Sequence, residues 1–365
     1  MSYLKLNDTA VIIESDGKSI LVCNEFNYNE LIQSGGDSDI LAVDYITNYF
    51  GFTQGTSNGY TTGGYTGSTQ SNVMDKFPFA SSDDATDVGN LFQARNAVAG
   101  TYSTSHGYSS GGFNGSIYSD VIDKFPFATD ENAADMANLS VGRSGVAGQS
   151  STTHGYSSGG GTSGVYAGMT NIIDNFPFSS DTNASDVGDL TLARRTSAGQ
   201  ESTTNGYTTG GDQGTPGSTY PSTNNIDKFP FASNANATDV GDLTSNRKQV
   251  VGQSSVSNGY ACGGSTVGSG QTGQWVSNIE RFPFATNSNS TLIADLFDED
   301  KKEGIAGHSS DINGFNSGGA GSPWPGNPTS TFSNRIEKFS FSSDGDGIDL
   351  GDLTEARYQA AGIQV

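Results

Sequence analysis

The sequence predicts an all-β fold, a propeller of four-stranded blades. Three observations predict it: a repeat of about fifty residues, a glycine block at one fixed phase of that repeat, and an aromatic pair at another. A Gly-Tyr-x-x-Gly-Gly block begins at Gly59, Gly107, Gly155, Gly206 and Gly259, with a Gly-Phe version at Gly314, at intervals of 48, 48, 51, 53 and 55 residues. A unit of that length cannot bury its own faces and must stack on its neighbours, and the period suits one four-stranded blade.

Residues 1–50 stand outside the repeat. Ala10 to Glu14 and Ser19 to Cys23, joined at Asp16-Gly17, have the β-branched runs and turn chemistry of a hairpin, and Ile40 to Ile46 predicts a third strand. This segment is either a docking module or part of a closing blade. The propeller spans 51–365, with repeats near 51–94, 95–142, 143–193, 194–246, 247–301 and 302–356 and a closing strand at 357–365.

Each repeat divides into four short strands. The first follows an arginine (Arg95, Arg143, Arg194, Arg247, Arg357) and contains a small-residue–glycine step, and the second carries the Gly-Tyr-x-x-Gly-Gly block. Between them Asn58-Gly59, His106-Gly107, His154-Gly155, Asn205-Gly206, Asn258-Gly259 and Asn313-Gly314 predict two-residue type I′ turns, since glycine takes positive φ freely and Asn or His tolerates it. The third strand holds Phe77-Pro78-Phe79 and counterparts at Phe125, Phe176, Phe229, Phe282 and Phe339. Its two rings share one face and form the inter-blade stripe, and the proline is confined to a strand end, a bulge or an unpaired side. The fourth strand, Val88 to Leu91 and its relatives, is short and leads to the next arginine.

An arginine before the first strand, a double glycine closing the second, and an acidic third strand followed by aromatics make 51–365 resemble the kelch-type β-propeller. It departs from that pattern where kelch repeats carry a Trp, since Phe-Pro-Phe stands there. The run Ile226 to Ser233 with Ala237 to Thr244 also resembles repeats of tailed-phage virion proteins of marine type. The resemblance implies a virion protein made in a host cytoplasm, needing no signal peptide. Arg357 to Val365 is a first strand with no successors, so it must pair elsewhere. If it completes the first blade there are six blades; if 1–50 joins it there are seven.

Composition narrows the function. A net charge of −22 argues against binding nucleic acid, which needs clustered Lys and Arg, and disfavours an anionic membrane surface. No apolar run reaches membrane-spanning length, and Cys23 and Cys262 make no disulfide framework or zinc constellation. No catalytic motif stands out, so the chain is expected to be no enzyme and to need no cofactor. His106 and His154 occupy the slot that Asn fills elsewhere and are assigned to the turn. Asp87, Asp135, Asp186, Asp239 and Asp349, with Asp189, Asp242, Asp295 and Asp352, recur near the arginines and suggest a structural ring of Arg–carboxylate contacts. Asp344, Asp346 and Asp349 form a solvated acidic turn and are also the strongest local candidate for calcium, without the EF-hand spacing.

The loops from second to third strand vary most and must all emerge on one rim. Their rings, Tyr118, Tyr166, Tyr220, Trp275, Trp324 and Phe332, are the candidate binding residues, with the two Trp foremost. The function expected is a non-enzymatic phage structural protein (tail fibre, spike or decoration). It would bind other virion proteins or host-surface carbohydrate through these loops, with a homo-oligomer compatible. The alternative is a cellular kelch-like protein-interaction scaffold.

Overall fold

The computed structural model describes the backbone of strands 2–7, 10–15 and 18–23, and residues 55–163, 168–213, 222–266, 274–297, 301–321 and 331–365. The chain divides into two compact units, Met1–Phe52 and Thr53–Val365. In the first, Ser2–Asn7, Ala10–Ser15 and Lys18–Cys23 form a three-stranded antiparallel sheet. The hairpin expected from Asp16-Gly17 is present, with Ser15 opposite Lys18, and an unforeseen strand pairs on its other side. The strand expected at Ile40 to Ile46 lies outside the described residues.

The second unit is all-β, built among the described residues from six small four-stranded antiparallel sheets, an arrangement compatible with a propeller. The second repeat shows the pattern: Ala99–Tyr102, His106–Ser110, Val121–Pro126 and Ala134–Asn138 pair in sequence order. In the first sheet the first strand is supplied by the chain's end, Ala361–Gln364, which pairs with Asn58–Thr62. There the hairpin is replaced by a pair of backbone hydrogen bonds exchanged between Val365 and Asn58, each 3.0 Å.

The hairpin between first and second strands differs from expectation. His154 and Gly155 already belong to the second strand, and the tip lies at 152–153, between Ser151 N–H, which donates to His154 O at 2.9 Å, and Ser151 Oγ, which accepts from His154 N–H at 2.9 Å. None of the Asn-Gly or His-Gly glycines has positive φ. Glycine is required there by packing. A Cβ on Gly155 would stand 2.4 Å from Cζ of Phe176. The double glycine is a true conformational requirement: Gly111 and Gly112 have φ of 66° and 101°, where an L-residue is strained.

The aromatic stripe packs between sheets. Tyr60 of the first sheet meets Phe125 and Phe127 of the second at centroid distances of 5.5 and 5.1 Å, and Tyr108 meets Phe176 and Phe178 of the third at 5.5 and 4.9 Å. Pro126 closes its strand opposite His106, where no further ladder donor is needed.

Each arginine is fully buried, but its partner is the acid of the third strand rather than the recurrent Asp residues beside the fourth. Arg95 reaches Asp123 at 2.7 Å, Arg143 reaches Asp174 at 2.9 Å, Arg194 reaches Asp227 at 3.0 Å, Arg247 reaches Glu280 at 2.7 Å and Arg357 reaches Asp75 at 3.0 Å. In the sixth repeat Lys302 takes the place of arginine and pairs with Glu337. The third-strand acid alternates inward with the apolar residues, whereas the fourth strand is the outer, more exposed one. The same acids accept from the connection preceding the arginine: Asp227 takes Thr191 N–H at 2.8 Å and Thr191 Oγ1 at 2.7 Å.

A further set of bonds ties the outer strands. Asn132 Oδ1 accepts from Asn90 N–H at 2.9 Å while Ala133 N–H donates to Asn90 O at 2.8 Å, joining the second sheet to the edge of the first. Asn183, Asn236 and Asn289 repeat the contact on Asn138, Asp189 and Asp242.

Candidate functional site

The buried charge pairs and edge clamps are alike from repeat to repeat, so a working surface must be sought where the repeats differ. That place is one face, made by the residue after each arginine or lysine and the residue after each double glycine. These bridge as Tyr358 with Tyr65, Asn96 with Phe113, Ser144 with Gly161, Arg195 with Asp212, Lys248 with Ser265 and Glu303 with Ala320. No two repeats present the same pair.

Inside this face lies a collar of six residues in the left-handed region: Ala97 (φ 55°), Gly145 (67°), Thr196 (53°), Gln249 (52°), Gly304 (63°) and Gln359 (55°). Their backbones bond end to end. Gly145 N–H donates to Ala97 O at 2.8 Å, Thr196 to Gly145 at 2.7 Å, Gln249 to Thr196 at 2.8 Å, Gly304 to Gln249 at 3.2 Å, Gln359 to Gly304 at 2.6 Å and Ala97 to Gln359 at 2.8 Å. Four non-glycine residues hold a conformation that costs each on the order of 1 kcal/mol or more, and the hydrogen bonds fix it.

An amide relay crosses the collar. Asn96 Nδ2 donates to Gln359 Oε1 at 2.7 Å. With the Gln249 amide oriented to satisfy its neighbours, its Oε1 accepts from Gln359 Nε2 at 2.7 Å and its Nε2 donates to both Glu303 oxygens at 2.7 Å. Burial raises the Glu303 pKa, and hydrogen bonds from Ser265 and Trp275 and the charge of Lys248 oppose that rise.

The face is chemically divided. One side carries Arg195, 3.6 Å from Asp212, with Lys248 beside them; burial lifts the Asp212 pKa against the pull of Lys248 and Arg195. The other side is aromatic: Phe332 stacks on Tyr358 at 5.0 Å, Tyr65 meets both edge-on, and Phe113 packs on Tyr118 at 5.1 Å.

Of the expected binding residues, Phe332 and Tyr118 are thus half-buried packing partners on this face, and Trp275 is half-buried with a hydrogen bond to Glu303. Trp324, Tyr166 and Tyr220 lie outside the described residues. Asp344, Asp346 and Asp349 are sent to three different partners: Arg281 at 2.8 Å, the backbone N–H of Asp295 at 2.9 Å and Arg335 at 3.6 Å. Asp346 occupies the position that Asn132 fills in the second repeat, with Gly347 N–H donating to Asp295 O at 2.8 Å, so it is an edge clamp. Among the described residues no group of three acidic, His or Cys side chains is placed to share a metal.

His106 and His154 open their strands with Nδ1 2.8 Å from the hydroxyls of Ser105 and Thr153, and burial lowers both pKa values. His308 is fully buried between Thr61, Ser317 and the Ile363 carbonyl, and desolvation brings its pKa down to about 4. It is a neutral core residue.

The collar opens into a cavity of about 130 Å³ lined by the first strand of all six sheets. At its far end the last residues of those strands are Tyr102, Ser150, Glu201, Ser254, Ser309 and Gln364. Tyr102 OH donates to Glu201 at 2.5 Å across the intervening strand, and burial pushes the Glu201 carboxyl up to about 7. Sequence reasoning missed this pair, although the divergence at the fourth position of an otherwise regular strand is visible in the repeats. No protein-family model matches the chain, and no curated protein matches it.

Proposed function

We propose that 53–365 is a six-bladed, kelch-like β-propeller closed by its C-terminal strand, and that the protein is a non-enzymatic structural and recognition component of a phage particle. It would be a fibre, spike or decoration that engages a neighbouring virion protein or a host-surface glycan. The observation that carries recognition is the divergence of the collar face: repeats that share their buried ion pairs and edge clamps present six different residue pairs around the collar.

Closure is supported by the bonds at the seam, which are those of every other junction. Arg357 pairs with Asp75, Thr354 N–H and Oγ1 donate to Asp75 at 3.0 and 2.6 Å, and Asp84 Oδ1 accepts from Asp352 N–H at 3.0 Å. At the narrowest point a Cβ on Gly100 would stand 2.2 Å from Gly362 O, as one on Gly148 would stand 2.1 Å from Gly100 O.

Mass spectrometry of purified particles tests the virion assignment, and its absence there would leave the cellular scaffold. Recognition is tested by attachment of the full chain to host cells and to a glycan array, comparing wild type with Lys248→Glu and Trp275→Ala. Loss of attachment by about tenfold or more, the cost of removing an interface anchor, at unchanged thermal stability is expected. Unaltered attachment in both variants refutes the collar face as the working surface.

A further inference from the structure

Glu201 is unlike the other buried acids among the described residues. Asp75, Asp123, Asp174, Asp227, Glu280 and Glu337 each face an arginine or lysine, and Asp212 faces Arg195. Glu201 is only 7% exposed, yet no basic side chain is set against it; its carboxylate takes the Tyr102 hydroxyl and the Ser150 backbone N–H. Burying a carboxylate without a counter-charge costs several kcal/mol. The protein matches every other such charge with a cation of its own, and here it leaves a cavity instead.

The cavity wall is neutral elsewhere. Among the described residues Tyr102 and Glu201 are its only titratable lining residues, and the rest are small apolar residues, Ser, Thr and Gln. Along the same end of the cavity the neighbouring first strands carry hydroxyls beside the backbone: Ser254 Oγ accepts from Glu201 N–H at 3.0 Å, and Ser309 Oγ accepts from Ser254 N–H at 2.9 Å. Hydroxyl and amide oxygens of this kind suit a cation that has shed its water. A net charge of −22 raises the local concentration of cations at the mouth.

We infer that the cavity binds one small monovalent cation, an ammonium group or an alkali-metal ion, with Glu201 as its counter-charge and Tyr102 and Ser254 as neutral oxygen partners. This is independent of the recognition proposed for the outer face. Binding favours the ionised carboxylate, so occupancy must expel the proton that Glu201 holds near neutral pH.

The experiment uses the full chain at pH 7 and constant ionic strength, exchanging tetraethylammonium chloride, too bulky to sit beside the carboxylate, for methylammonium or potassium chloride. The expected result is release of a substantial fraction of one proton per chain and a rise in melting temperature with methylammonium, potassium or both, which tells the ammonium from the alkali-ion source. Glu201→Gln abolishes both responses. Proton release equal in wild type and Glu201→Gln, or no release with either cation in the wild type, overturns the site. The wild-type arm decides the matter even if the variant fails to fold.

Discussion

Glu201 also makes the sharpest prediction about stability. Its folded pKa is raised from 4.5 to about 7, first by burial and against the Tyr102 and Ser150 hydrogen bonds. A carboxyl whose folded pKa lies above its unfolded value binds its proton more tightly in the native state. Its contribution to stability is therefore full below about pH 4.5 and is lost as pH rises through about 7. A separation of roughly 2.5 pH units corresponds to about 3 kcal/mol. For a repeat body of this size the melting entropy converts that to about 5 °C.

Glu201→Gln keeps the shape of the protonated form and cannot titrate. Measured by calorimetry in tetraethylammonium buffers between pH 4.5 and 9, the variant should match wild type at the acid end and exceed it by about 5 °C at the alkaline end. Tyr102→Phe removes a hydrogen bond that favours the charged carboxylate, so it should shift the midpoint of this difference to higher pH. A gap between wild type and Glu201→Gln that is constant across the range refutes the reasoning, whatever its size.

Three other outcomes follow from the packing. Asp174→Ala leaves Arg143 buried without its carboxylate and should cost about 3–5 kcal/mol in denaturant unfolding; a loss below about 1 kcal/mol would mean water reaches the pair. In the collar, Ala97→Gly releases a left-handed alanine and should stabilise by up to about 1 kcal/mol, while Gly145→Ala, whose Cβ meets Thr196 N at 3.0 Å, should destabilise by at least as much. Equal signs for these two changes would contradict the collar geometry. Removal of 357–365 strips the first strand from Asn58–Thr62 and the cation from Asp75, and should convert the protein to an aggregating species by light scattering.

The repeat made much of the second unit legible, because identical local sequences must solve identical packing problems. The double glycine, the aromatic stripe and the four short strands follow from φ requirements and a period of two, and these are properties of neighbouring residues. What was not legible depended on which residues meet across sheets. The sequence offered nine recurrent aspartates near the arginines, and only strand alternation in three dimensions singles out Asp123, Asp174 and Asp227 as the buried partners. The Asn-Gly and His-Gly steps carried the chemistry of a turn, but the ring of Phe176 above Gly155 supplies a different reason for the same residue. Lys302 stands in the arginine's place opposite Glu337, an exchange that the arginine pattern in the sequence does not show.

The low apolar content, 33%, is the remaining puzzle for a body without disulfides, and the junctions answer it. Hydrophobic contact between sheets is limited to a Tyr set against two Phe rings and a few aliphatic side chains, as in the cluster around Tyr60, Met74, Leu91 and Phe125. Each junction adds a collar bond and an outer-strand clamp, and each repeat adds a buried ion pair, at three distances from the cavity. Their geometry is set by backbone and by equivalent residues of each repeat, so one junction design recurs and a change in any one is felt chiefly by its neighbours. That locality loosens the constraint on the residues between collar and loops, of which Asn96 and Glu303 still bond to the collar residues Gln359 and Gln249. Ser144, Arg195 and Lys248 stand outside that relay and can diverge at less cost to the fold, and a surface that varies at small cost to stability is where a recognition specificity can be changed.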